Sequence, residues 1–104
     1  MALAMLLPSD REMIFECLKA AALGPFFSDT DMSILFGIDR SELLAIVSRI
    51  PQIDDSEPNV RLAIGNSLNN LTGYPHGMET EWSNWISVCP DEINCLWTRW
   101  YALL

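Results

Sequence analysis

Positive charge is scarce in this sequence. Six lysines and arginines stand against fourteen aspartates and glutamates, for a formal net charge of −8. Affinity for a phosphate backbone comes mainly from cationic side chains that displace counterions. The balance therefore argues against nucleic acid and against anionic membrane surfaces. No apolar run approaches the roughly 18 residues that cross a bilayer. The residues from Met1 to Leu7 are apolar but short. They lack a basic flank and a small-residue cleavage site, so they do not read as a signal peptide. Cysteine is sparse and odd in number: Cys17, Cys89 and Cys95 make no disulfide framework. A reducing cytoplasm is the expectation. No segment shows the period-two alternation of a half-buried strand.

What remains is rich in apolar side chains. Half of the 104 residues are hydrophobic and 19% are charged, against about 25% charged in ordinary soluble domains. Either the core is unusually full or part of the surface is sticky. The length suits one domain over residues 1–104, with 1–7 as an apolar N-terminal arm. The acidic excess is spread, at −3 over residues 1–51 and −5 over 52–104. It keeps such a chain soluble and is compatible with a basic protein partner.

Helix signals recur. Ser9 with Glu12 reads as a capping box, opening a helix that Gly24-Pro25 stops near Leu23. Its apolar positions are Met13, Ile14, Cys17, Leu18 and Ala21. Asp29 or Thr30 can cap a short helix through Phe36, closed by Gly37. Asp39 with Glu42 resembles a second box, before a helix with Leu43, Ile46, Val47 and Ile50 on one face and Pro51 at its end. Ser56 is a candidate cap, with Pro58 in the first turn of a helix to about Leu71 whose stripe is Val60, Ile64, Leu68 and Leu71. A short helix through Trp82 and Trp85 follows Gly77. Pro90 opens the last helix, carrying Ile93, Leu96, Trp97, Trp100 and Leu104, with Asp91 and Glu92 at its positive end. The spacing predicts an all-α fold, a compact bundle of four to five short helices.

No constellation meets the demands of a catalytic or metal site. Residues 29–40 place Asp29, Asp31 and Ser33 at calcium-loop spacing, but Ile34 stands where the turn needs glycine and Arg40 where a bidentate glutamate is needed. Asp54, Asp55 and Glu57 read as a solvated turn beside a helix start. His76 and Glu79 are too few ligands for zinc. Cys17 lies on an apolar stripe. Cys89 precedes a helix start, where a thiolate is stabilised, and His76 is the sole candidate base. No cofactor and no metal are expected.

Residues 29–50 resemble a helix-turn-helix hairpin across about a fifth of the chain. A DNA reader would use Arg40, Ser41, Glu42, Leu44, Ala45, Ser48 and Arg49 in the groove. Glu42 and the net charge oppose that use. Two other stripes stand out. Asn59, Asn66 and Asn70 align on one helix face, suited to bonding a loop or a partner, or to tying the helix to the Tyr74-to-Gly77 turn of the same molecule. All four tryptophans fall in the last quarter, as Trp82 with Trp85 and Trp97 with Trp100, the latter followed by Tyr101. Such rings make strong contact anchors as well as core.

The leading expectation is a non-enzymatic, acidic protein-binding module (an adaptor, inhibitor or immunity-type factor). Its contact residues would be Trp82, Trp85, Trp100, Tyr101, Glu79, Glu81, Asn66 and Asn70, with Arg40 and Arg49 secondary. The partner would be another protein, of basic character, or a second copy gripped by the Met1–Leu7 arm. The alternatives are a helix-turn-helix nucleic-acid regulator and a small cysteine-dependent enzyme.

Overall fold

The computed structural model describes residues 1–104, and every regular element in it is helical. Seven α-helices follow one another: α1 (Ala2–Met5), α2 (Pro8–Leu23), α3 (Asp29–Phe36), α4 (Arg40–Ser48), α5 (Pro58–Gly73), α6 (Trp82–Trp85) and α7 (Pro90–Tyr101). A 3-10 turn at Glu79–Glu81 leads into α6. The number exceeds the four to five expected. Helix α1 was not expected, four residues being too short for a helical period to show in sequence; α6, equally short, falls where the short helix through Trp82 and Trp85 was expected.

Chain punctuation explains the boundaries, with three changes from the sequence expectation. Pro8 takes the first helical position of α2, with Leu7 before it and no side-chain cap. Proline suits that place because its missing N–H needs no partner, and Ser9 then falls inside the first turn, where its expected capping box does not form. Ser28, rather than Asp29 or Thr30, caps α3 by accepting the Asp31 N–H at 3.1 Å. Ser56 does not cap α5, because its N–H and hydroxyl both donate to Asp54 Oδ1, at 2.8 and 2.7 Å. Asp39 does cap α4, accepting from Glu42 N–H at 2.9 Å. Gly37 ends α3 at φ 71°, the left-handed conformation glycine adopts freely. Gly24 ends α2 for a different reason: a Cβ there would sit 2.6 Å from the Ala20 carbonyl oxygen.

Helices α2 and α5 pack together at the centre. Helix α4 lies on α2, α3 on α5, and α7 on α5 as well, while α6 rests against α2. The buried apolar side chains form one continuous cluster of 27 residues. The α5 stripe Val60, Ile64, Leu68 and Leu71 is wholly inside it, as are Ile14, Cys17, Leu18 and Ala21 of α2. The radius of gyration is 12.4 Å, close to the roughly 13 Å of a compact chain of this length.

Polar tethers close the two ends of the chain onto this core. Asp55, 1% exposed, accepts the backbone N–H of Leu3 at 2.9 Å and the Trp100 indole N–H at 3.0 Å, both on Oδ2. No donor reaches its Oδ1. Arg11 donates to the Leu6 carbonyl at 2.7 Å, satisfying an orphan carbonyl at the end of α1. Asp10 takes both Nε and Nη2 of Arg99, at 3.2 and 2.8 Å, joining the start of α2 to the end of α7. The apolar Met1–Leu7 arm thus turns Ala2, Leu3 and Leu6 into the chain's own core, leaving Met1, Met5 and Leu7 exposed.

Two outcomes follow for stability. Asp55→Ala strands two buried N–H donors and lowers unfolding free energy by about 2–4 kcal/mol, read as a drop in Tm; Asp55→Asn, which keeps one acceptor oxygen, loses less. The Asp39 carboxyl is held below its ordinary value by the Glu42 N–H and then by the Ser41 hydroxyl. A group depressed in the folded state contributes stability above its unfolded value and loses it as pH falls through the folded one. The gap in urea midpoint between the native sequence and Asp39→Ala is therefore present at neutral pH and closes in acid below the normal carboxylate range.

Candidate functional site

Two concavities mark the surface. The larger, about 520 Å³, runs between α5 and α7. One wall is the α5 face of Arg61, Leu62, Gly65, Asn66 and Asn69; the other is the α7 face of Trp97, Trp100 and Tyr101, with Leu104, expected within the last helix, lying beyond its end at Tyr101, and Ser56 with Pro58 complete the lining. The helical residues of each wall follow helical spacing, so each set is one stripe of one helix. The rings of Trp97 and Tyr101 stack with centroids 4.7 Å apart and an interplanar angle of 12°, making one flat wall. Tyr101 is 58% exposed. The floor is the benzo edge of Trp100 opposite Gly65, where an added Cβ would meet ring carbons at 3.4 and 3.5 Å. Arg61 is the sole charged residue in the lining. Its Nε donates to the Asp55 carbonyl at 3.2 Å, and no carboxylate pairs with it, since the ion pairs are Arg40–Asp29, Arg49–Glu57 and Arg99–Asp10.

The smaller cleft, about 340 Å³, is lined by Glu79, Trp82, Ser83 and Pro90. Trp82 is half-buried and fixed: its indole N–H donates to the Val88 carbonyl at 2.7 Å, and its ring meets Phe26 edge-on at 6.2 Å. Glu79 is exposed and without an ion-pair partner.

The residues singled out in the sequence divide between these places. Trp82 and Glu79 line the cleft; Trp100, Tyr101 and Asn66 line the groove. Trp85 is half-buried and packed against the core. Trp100 is not the projecting anchor expected, being 2% exposed, because Asp55 holds its N–H inward and only the opposite ring edge reaches the groove. The asparagine stripe is used within the chain. Asn66 donates to the Phe36 carbonyl at 2.9 Å, Asn70 to the Asn66 carbonyl at 2.9 Å, and Asn59 to Glu42 at 3.3 Å. Glu81 is half-buried and accepts from Asn84 at 3.4 Å. Sequence reasoning did not single out Arg61, Leu62, Gly65 or Asn69 as site residues. Their i, i+1, i+4, i+8 spacing on α5 was a visible signal, but only the α7 packing shows that they face a wall.

The arginines of the hairpin are also committed internally. Arg40 spans the end of α2: Nη1 donates to the Ala22 carbonyl at 2.6 Å, Nη2 to the Phe27 carbonyl, and Nε pairs with Asp29 at 2.6 Å. Arg49 forks onto both oxygens of Glu57 at 3.1 Å. His76 has both ring nitrogens engaged. Nδ1 accepts the Met78 N–H at 3.0 Å and Nε2 lies 3.0 Å from the Leu71 carbonyl, which sets the neutral tautomer with its proton on Nε2. No group of three or more His, Cys, Asp or Glu side chains is placed to hold a metal ion. No helix is long and apolar enough to cross a membrane.

No protein-family model, curated protein or solved structure matches this chain.

Burial, and secondarily the Glu16 charge, push the Cys17 thiol up to about 12, so it stays protonated and unreactive. Cys89 and Cys95 are exposed. Maleimide or iodoacetamide therefore labels two thiols in the native protein, seen by intact mass, and the third only after denaturation. Rapid labelling of Cys17 without denaturant would contradict the packing of α2.

Proposed function

We propose that the protein is a non-enzymatic binding module that docks a basic segment of another protein through an acidic and aromatic face. The observation that carries this reading is the cleft of Glu79, Trp82, Ser83 and Pro90. A tryptophan held in place by its own N–H bond offers a pre-ordered ring, so little side-chain entropy is lost on contact. A Lys or Arg side chain lying over that ring gains cation–π attraction, and the neighbouring Glu79 carboxylate is unengaged. Glu81 lies two residues on, and Asp91 follows the lining residue Pro90. The net charge of −8 extends the same preference over long range and speeds encounter with a cationic partner.

The alternatives find less support. A hairpin reader of DNA needs free arginines, and Arg40 and Arg49 are both bonded within the chain. A Cys89 nucleophile needs a base, and both nitrogens of His76 are occupied.

The test is affinity capture on immobilised native protein beside the double variant Glu79→Lys, Glu81→Lys, with bound proteins identified by mass spectrometry. A basic protein held by the native form, released by added salt and not held by a variant of unchanged Tm is the expected result. Equal retention on both, or no selective retention, contradicts it.

A further inference from the structure

The α5–α7 groove differs in chemistry from the rest of this surface, and it stands apart from the docking reading above. Three features define what fits it. Its walls are the stack of half-buried Trp97 and exposed Tyr101 on one side and Leu62 on the other, a slot for something flat and apolar. Its one charge is a guanidinium with both terminal nitrogens uncommitted, and none of the chain's fourteen acids is in the lining. Its depth depends on Gly65, in the interior of the sixteen-residue helix α5. Glycine there weakens the helix relative to alanine. Yet an alanine Cβ would make ordinary contact with Trp100, at 3.4 and 3.5 Å, without a clash. Packing thus gives no reason for glycine at this position, whereas an open floor does.

The geometry points to a binding site for a small aromatic carboxylate, its ring in the slot beside the Trp97–Tyr101 stack and its carboxylate on Arg61. A volume of about 520 Å³ falls within the roughly 300–1,000 Å³ of small-molecule sites. Arg61 pairs a planar fork with a planar anion. Its Nε bond to the Asp55 carbonyl holds the guanidinium at the groove rather than free in solvent. The side chains of Asn69 and Tyr101 add polar edges for a ring substituent.

Naphthoate is the probe and naphthamide its uncharged control, titrated into the whole protein and followed on the indole N–H cross-peaks of Trp97 and Trp100 by proton–nitrogen correlation NMR. Naphthoate should bind saturably and the amide roughly tenfold more weakly or worse. Arg61→Gln should bring naphthoate down to the level of the amide. Gly65→Ala should raise Tm while weakening naphthoate, a pairing that a purely structural role for this glycine does not give. No saturable binding, equal binding of acid and amide, or unaltered affinity in both folded variants overturns the proposal.

Discussion

A carboxylate taken out of water must find donors, and Asp55 finds them at opposite ends of the chain. The Leu3 N–H comes from the first helical turn and the Trp100 indole from the last helix, and both meet on one oxygen. Much else depends on that oxygen. It seats α1, so that Leu3 and Leu6 complete the core. It fixes the tilt of Trp100, and with it which ring edge becomes the floor of the α5–α7 groove. The backbone carbonyl of the same residue holds Arg61 at the groove. One residue in a connecting loop thus links the N-terminal turn, the C-terminal helix and the one cationic group in the lining.

The energetic character of this link is two-sided. Burying a carboxylate is costly, and its second oxygen has no donor, so the pair of bonds is not a large net gain over an apolar filling. What it supplies is definition. An apolar contact slides, whereas two N–H groups converging on one oxygen fix where both ends of the chain sit. The Asp10–Arg99 pair adds a second tie between the same ends, but Arg99 is half exposed, so it is the weaker of the two.

Helical period carried most of the fold. The stripes on α2, α5 and α7 could be read because each buries one face for several turns, as Val60, Ile64, Leu68 and Leu71 do. The caps were less legible. Ser28, Asp29 and Thr30 are equivalent by composition, and only backbone geometry selects among them. Asp55 was not legible. In an Asp-Asp-Ser-Glu turn an acid reads as solvated, and nothing local announces an indole arriving from 45 residues away. The same holds for the groove. Gly65 looks like a tolerated flaw in a helix until Trp100 is seen opposite it, and Arg61 looks like one more exposed base. The asparagines stood out as hydrogen-bonding residues, but not for these partners: Asn66 bonds the end of α3, Asn70 the Asn66 carbonyl of its own helix and Asn59 Glu42 of α4, and only the packing selects them.

The most direct test of the Asp55 link is native-state hydrogen exchange of two protons, the Trp100 indole N–H and the Leu3 amide. If both lie sealed on one buried oxygen, they exchange only when the whole molecule unfolds, with the same opening free energy as the core amides of α5. Rapid exchange of the Leu3 amide or of the indole, at a rate set by local opening, would show that the two ends are not joined through Asp55 and would contradict the account.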